Sequence, residues 1–446
     1  MRISSVVKRG EPETATIDGM THDGRGIATI GGKKVFVPGV LAGEQVRITR
    51  RKLRRSYDEA ELLETLVPSP ERVTPRCAVF GVCGGCALQH VDAARQRAMK
   101  QQSLADCLER IGGVRPERWL DPVFDAAPEA SWQYRRRARL AVRNVAAKAR
   151  VLVGFRERRA ALVTDMHRCE VLAAPLGSLL DPLSELIGTL SIRARLPQVE
   201  LAVADNAVEL VFRVLDTPTA EDHARFLRFG HEHGVRISLQ PGGIDSVTPL
   251  VPDAERDALY YELPEFDVRI RFEATDFVQV NASVNRRMVA LALDLLQLRE
   301  CDRALDLFCG IGNFSLPMAR RARYILGVDG EPAQVTRAAQ NAALNGIGNC
   351  EFRCSDLAAV DGKTGWSRQS WDKVLLDPPR CGAEEVVRHL GRTGASRVLC
   401  VSCHPATLAR DAGILTTETG YRLEAAGIID MFPHTAHVEA VALFSK

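Results

Sequence analysis

Short strand-like stretches, most of them apolar and followed by a glycine or an acid, set the frame of the second half of the chain. Ala304–Phe308 reads as a short buried strand, Tyr324–Val328 as a second apolar strand, Cys350–Cys354 as a third, and Lys373–Asp377 and Val398–Val401 as a fourth and fifth. Helical patterns separate them. The first of these, entered from Phe277-Val-Gln279-Val-Asn281, places Met288, Leu291, Leu295 and Leu298 on one face. This alternation predicts an open parallel α/β sheet whose ligand-binding edge lies at the carboxyl ends of its strands. The residues at those ends are Gly310 and Gly312, Asp329, Asp356, Asp377, and Ser402-Cys403-His404.

The first half follows a different pattern. Gly26–Ile30, Lys33–Val37 and Gln45–Thr49 alternate as strands, the first two joined through Gly31-Gly32, so residues 13–67 read as a small β-barrel. Gly24-Arg25-Gly26 and Val37-Pro-Gly-Val-Leu-Ala-Gly-Glu44 resemble the TRAM domain, an OB-like barrel that binds RNA. Residues 91–111 read as a helix stopped by Gly112-Gly113, and residues 197–214 as a hairpin through Asp205-Asn206. No chemistry is legible there or up to about residue 265. The expected fold is multidomain: an OB-like barrel (1–70), a central α+β domain (71–270) and an α/β Rossmann-like domain (271–446).

Composition narrows the class. A chain of 446 residues exceeds one core, and 46% apolar with 26% charged residues is ordinary for a globular protein. No run of 18 apolar residues and no apolar leader is present, so a cytoplasmic protein is expected. Twelve cysteines without secretory features point to reduced thiols. The net charge of +3 says little, but Arg50, Arg51, Lys52, Arg54 and Arg55 form one basic group, and Arg135, Arg136, Arg137, Arg139 and Arg143 another. Beside Trp132 and Tyr134 the second suits stacking on RNA and contact with phosphate.

Three constellations carry chemistry. Gly310 and Gly312 let a ligand approach the backbone closely, but no third glycine follows for a pyrophosphate. With Asp329 and Asp356 on the next strand ends, the pattern favours a nucleoside cofactor without pyrophosphate, S-adenosylmethionine. Cys77, Cys83 and Cys86 lie close together among glycines, with Cys169 as a fourth candidate; this spacing suits zinc or an iron–sulfur cluster. Finally, Cys403 offers a thiolate. Addition to C6 of a pyrimidine gives C5 the carbanion character that methyl transfer needs. A base must then take the C5 proton, for which Glu439 is the candidate and His437 the second choice.

Taken together these residues resemble the RNA uracil-C5 methyltransferase family, and most of all its members acting on bacterial 23S ribosomal RNA. The likeness rests on the TRAM-like start, Cys77/Cys83/Cys86 with Cys169 in His167-Arg-Cys-Glu170, Asp306 to Phe314, Asp377-Pro-Pro-Arg-Cys-Gly382, Ser402-Cys403, and Asp430 to Glu439. The resemblance implies a [4Fe-4S] cluster on Cys77, Cys83, Cys86 and Cys169. It also implies cofactor contacts at Gln279, Phe308, Asn313, Asp329, Asp356 and Asp377, a nucleophile at Cys403 and a base at Glu439. It suggests that residues 91–120 pack on the catalytic domain, and a monomer is expected. Cys400 and His404 depart from the family pattern, in which tyrosine and asparagine are usual, and Asp329 stands where some relatives carry glutamate. The alternatives are a transfer-RNA uridine or cytosine C5 as target, or a non-catalytic RNA-binding ribosome assembly factor.

Overall fold

The computed structural model describes residues 11–252, 257–360 and 365–446, so the first ten residues of the expected 1–70 piece lie outside it. The chain groups into two compact units that interleave along the sequence: Met1–Lys100, Phe155–Thr164 and Phe432–His437 form one, and Gln101–Gly154, Asp165–Met431 and Val438–Lys446 the other.

The first unit is built on a six-stranded sheet of β1 (Glu13–Thr16), β2 (Gly19–Met20), β3 (Arg25–Ile30), β4 (Lys33–Pro38), β5 (Gln45–Leu53) and β6 (Tyr57–Val67), in the order β1-β5-β6-β4-β3-β2. Period-two alternation decides the faces: Val35 and Val37 of β4 are buried with Ala15, Ile17, Ala28, Val46, Ile48 and Ala60, while Lys34 and Phe36 point the other way. Gly31 and Gly32 both take positive φ (59° and 79°), which the tight turn between β3 and β4 requires. A smaller core of Leu41, Leu88 and Val91 lies beside it.

The chain passes to the second unit within α1 (Ala93–Cys107). Leu104 and Leu108 are already in the main core of that unit, and Gly112 lies so close to the Ala409 carbonyl oxygen that a Cβ would sit 2.4 Å from it. The following strand β7 (Arg118–Trp119) precedes β8 (Arg137–Val145), β9 (Arg150–Gly154), α2 (Leu180–Thr189), β10 (Gln198–Val203), β11 (Val208–Arg213), α3 (Ala220–His233), β12 (Arg236–Gln240) and β13 (Thr248–Pro249). Strands β8 to β13 form a second six-stranded sheet, ordered β13-β12-β11-β10-β8-β9. A hairpin of β14 (Leu259–Leu263) and β15 (Val268–Phe272) leads to α4 (Ala282–Leu296).

The buried face of α4 differs from the expected row. Met288 and Leu295 are buried, but so are Val284, Val289, Ala292, Leu293 and Leu296; Leu291 is half-buried and Leu298 lies beyond the helix. The helix is covered over much of its circumference, so no single i, i+3, i+4 row marks its core side.

The third sheet carries the site. Its strands are β16 (Arg303–Leu307), β17 (Tyr324–Asp329), β18 (Cys350–Cys354), β19 (Lys373–Leu376), β20 (Arg397–Ser402), β21 (Arg422–Ile429) and β22 (Glu439–Ser445), with α5 (Ser315–Ala319), α6 (Pro332–Leu344), α7 (Glu384–Leu390) and α8 (Pro405–Thr417) between them. The order is β18-β17-β16-β19-β20-β22-β21-β7. Strands β16 to β20 run parallel, and β22 is antiparallel to both β20 and β21. The order reverses between β16 and β19, the place where an open α/β sheet leaves a crevice for ligand. Among the described residues no helix is long and apolar enough to cross a membrane.

Candidate active site

Register brings the nucleophile and the base together. Ser402 is paired with Ala440 across β20 and β22, so Cys403, leaving one strand, and Glu439, entering the other, meet at the same edge of the sheet. One strand over, Leu376 pairs with Cys400, and Asp377 emerges at that edge as well, its N–H donating to the Leu307 carbonyl at 3.2 Å. Helix α8 then anchors the Asp377-Pro-Pro-Arg loop. The Thr407 hydroxyl donates to the Arg380 carbonyl (3.3 Å), the Arg410 guanidinium to the Cys381 carbonyl (3.0 Å), and the Ala383 N–H donates to Asp411 (2.7 Å). Gly382, at φ 80°, has no room for a side chain: a Cβ would lie 2.5 Å from the Arg410 guanidinium and 2.7 Å from the Asp411 carboxylate.

Several acids crowd the site. Burial and the nearby Glu439 carboxylate push Asp377 up to about 8. Asp306 lies on β16 with no exposed surface; its Oδ2 accepts from the Ser315 hydroxyl, its Oδ1 has no hydrogen-bond partner among the described residues, and burial pushes its carboxyl up to about 7. Burial, Glu439 and Asp377 together push the Cys403 thiol up to about 11, with Arg380 opposing them. Such a cluster suits a cation, and the sulfonium of S-adenosylmethionine is one. Asp306 had been legible only as part of a motif; its signal was a single acid inside an otherwise apolar strand.

The expected cofactor residues are arranged around the β16 turn. Phe308 takes a positive φ (65°), as do Gly310 (53°) and Gly312 (97°), and the Phe308 N–H donates to the Val328 carbonyl. Asp329 fastens this loop by accepting from the Gly310 N–H at 2.9 Å, while its other oxygen accepts from Glu331 at 2.9 Å. Asn313 exchanges amide hydrogen bonds with Asn285 (3.0 Å each way) and accepts from the Tyr261 hydroxyl at 2.9 Å. Tyr261 therefore reaches the site from a stretch in which the sequence showed no chemistry. Its strand pattern gave no signal for that contact. Gln279 lines a shallow cleft with Tyr261, Asn285, Arg136 and Arg286. Asp356 is exposed and caps its own turn through the Ala358 N–H.

The two departures from the family pattern also find places. Cys400 is buried within β20, where burial raises its thiol, and His404 is the N-cap of α8, its Nδ1 accepting from the Thr407 N–H at 3.4 Å. His437 stacks on Phe432 (4.8 Å between ring centres), both residues belonging to the first unit.

Cys77, Cys83 and Cys86 share one loop of the first unit. Gly81 takes φ 90° there, the Gly85 N–H donates to the Cys83 sulfur at 3.4 Å, and Arg158 donates to the Cys86 carbonyl at 2.6 Å. Burial and the neighbouring Cys77 raise the Cys83 thiol. Cys169, buried, belongs to the second unit and donates its N–H to the Gly177 carbonyl. Among the described residues no disulfide forms, and no three His, Cys, Asp or Glu side chains are grouped as for a metal ion.

The basic groups are partly neutralised by cross-strand acids. Arg50 pairs with Glu13 (2.6 Å) and Asp58 (2.8 Å), Arg51 with Glu61, and Lys52 with Glu59 (3.1 Å). In the second group Arg136 pairs with Asp205, and Arg137 (3.6 Å) and Arg139 (2.6 Å) with Glu200.

Comparison with known proteins agrees with this geometry. Residues 254–446 match the model of the tRNA (uracil-5-)-methyltransferase family, and residues 6–63 that of the TRAM domain. The chain is 48% identical over 436 residues to a 23S rRNA (uracil(1939)-C(5))-methyltransferase of Methylococcus capsulatus, covering 98% of this chain and 97% of the relative. A protein of the same name from Stenotrophomonas maltophilia is 46% identical over 448 residues, covering 100% and 99%. In fold the chain is similar to the tRNA (uracil-54, C5)-methyltransferase of Pyrococcus abyssi, solved with S-adenosyl-L-homocysteine: TM-score 0.72, 22% identity, 97% of this chain and 100% of that one. The chain belongs to the S-adenosylmethionine-dependent RNA uracil-C5 methyltransferase family and carries a TRAM domain in its amino-terminal part.

Proposed function

We propose that the protein methylates C5 of a uridine in 23S ribosomal RNA, with Cys403 as nucleophile and Glu439 as base. The observation that carries this reading is the Ser402–Ala440 pairing, which sets a thiol and a carboxylate side by side at the ligand edge of the sheet. Relatives named for 23S rRNA, matching over almost the whole chain, support the choice of ribosomal RNA over a transfer RNA.

In this mechanism the Cys403 sulfur bonds to C6, and the ring electrons move onto C5 and O4. S-adenosylmethionine, when bound, supplies the methyl group that C5 takes. Glu439 then removes the C5 proton, the C5–C6 double bond re-forms and the C6–S bond breaks, returning the cysteine. Asp377 and Asp306 would supply negative charge to a bound sulfonium, and Gln279, Phe308, Asn313, Asp329 and Asp356 would complete the cofactor site. The unpartnered Asp306 oxygen and the positive φ of Gly310 and Gly312 fit such a ligand.

Cys77, Cys83 and Cys86, joined by Cys169, hold a [4Fe-4S] cluster in this reading. The glycine-rich loop and the N–H donated to the Cys83 sulfur suit thiolate ligation, and the cluster would bind the loop together without entering the chemistry. The amino-terminal sheet is an OB-like barrel, supported by the single apolar face that five of its strands bury. By function the chain divides into 1–70, 71–270 and 271–446. In this reading it acts in the cytoplasm as a monomer. Mass spectrometry of nucleosides from RNA treated with protein and S-adenosylmethionine tests the assignment: 5-methyluridine is expected, 5-methylcytidine or no product would refute it.

A further inference from the structure

The segment joining β21 to β22 leaves the second unit after Met431 and rejoins it at Val438, and Glu439 is the next residue. Its own bonds make it stiff. The Thr435 hydroxyl donates to the Phe432 carbonyl at 2.9 Å, the His437 N–H donates to the Thr435 hydroxyl oxygen at 3.2 Å, and the His437 ring stacks on Phe432. His434, 5% exposed, stands at φ 64°, an uncommon left-handed conformation for a residue with a side chain and one that persists where the surroundings hold it.

Helix α1 supplies that hold. Asp92 caps its first turn, accepting from the Ala94 N–H at 2.9 Å and the Arg95 N–H at 3.2 Å, and Gln96, 2% exposed, follows on the next turn. The Gln96 Oε1 accepts from the His434 N–H at 2.8 Å, while its Nε2 donates to the Val91 carbonyl at 2.9 Å and lies 3.2 Å from the His434 Nδ1. The N–H bound at Oε1 fixes which way the amide points, so Nε2 is the donor and Nδ1 the acceptor. The His434 carbonyl accepts from the Ala87 and Leu88 N–H groups at 2.9 Å each, and Lys100, 2% exposed, donates to the Phe432 carbonyl at 2.9 Å. Gln96 thus grips both the backbone and the ring of a residue 338 positions away.

We propose that Gln96 is a positioning residue for proton removal: by holding His434 it fixes the turn from which Glu439 enters β22. Pairing with Ile429 sets the register of the Glu439 backbone, and the turn sets the direction from which the chain arrives. A general base must come within hydrogen-bond reach of its proton, and a displacement of about 1 Å can cost about a hundredfold in rate. Cys403 follows β20 and does not belong to this turn, so attack on the ring and methyl transfer are independent of the grip. The inference rests on the reading of Glu439 as the base.

The test uses full-length protein, RNA and S-adenosylmethionine labelled in the methyl group. It reads turnover, the share of protein held in a labelled protein–RNA adduct, and the rate at which Cys403 captures 5-fluorouridine RNA. Gln96→Leu should lower turnover by about ten- to a hundredfold and accumulate labelled adduct. Capture, which needs attack and methyl transfer but no proton removal, should keep the parent's rate. His434→Asn retains the backbone bonds and suits a positive φ; it should move turnover and adduct in the same direction by less, and it decides the matter if Gln96→Leu does not melt cooperatively. Parent-like turnover by the deciding variant, or turnover and capture falling together, would overturn the proposal. Glu439→Gln is measured beside them: a stall there next to a parent-like Gln96→Leu rejects the positioning role alone, and normal turnover by Glu439→Gln rejects the base assignment beneath it.

Discussion

Ser402 and Ala440 face each other across β20 and β22, and this one pairing places Cys403 and Glu439 at a common edge although they lie 36 positions apart in sequence. Antiparallel insertion of β22 beside β20 is what makes it possible. Had the last strand entered parallel, its first residue would lie at the opposite end of the sheet.

The acids around Cys403 make cofactor binding a proton-linked event. In the free protein burial and Glu439 hold Asp377 at about 8, and a bound cation favours its ionised form. Affinity for S-adenosylmethionine should therefore rise with pH from the ordinary carboxylate range to about 8, with proton release on binding. S-adenosylhomocysteine, whose sulfur is neutral, should show less of both. Calorimetry in buffers of different ionisation heat measures the difference, and equal proton release for the two ligands would contradict it.

The same shift has a stability consequence. The folded state keeps the Asp377 proton across a pH range in which the unfolded chain has lost it, so this group's contribution falls as pH rises toward about 8. Asp377→Asn should melt higher than the parent at pH 8 while losing cofactor affinity. A lower melting temperature for the variant at that pH would show that the carboxylate is compensated in a way the neighbouring Glu439 does not suggest.

The thiol responds to the base. Glu439 and Asp377 help to raise Cys403 to about 11, so neutralising one of them should lower it. In Glu439→Gln the midpoint of Cys403 alkylation by iodoacetamide, followed on its peptide by mass spectrometry, should move to lower pH. An unchanged midpoint would mean that burial alone sets the thiol.

Much of this was legible in the sequence because strand ends carry their ligands with them. Tyr324–Val328 announces itself as an apolar run, and Asp377 and Cys403 follow runs of the same kind. What period and propensity do not encode is pairing between distant segments. The Tyr261–Asn313 bond, the acids that neutralise Arg50 to Lys52, and the wide buried face of α4 all depend on tertiary neighbours.

Tyr261 offers a check on that missed contact. Tyr261→Phe removes one hydrogen bond to Asn313 and leaves the packing intact, a loss of about 1 kcal/mol. If Asn313 needs that bond for its orientation, cofactor affinity should weaken by about fivefold with RNA affinity unchanged. Equal affinities for cofactor in the two proteins would remove Tyr261 from the site.

The central claim is that Cys403 opens the reaction and Glu439 closes it, and the product of the Glu439→Gln variant tests it most directly. With RNA and S-adenosylmethionine labelled in the methyl group, the variant should accumulate a protein–RNA adduct that survives denaturing electrophoresis and carries the label, because C5 is methylated and its proton has no acceptor. Cys403→Ala should give neither adduct nor product. Normal turnover by Glu439→Gln, with no labelled adduct, would contradict the account.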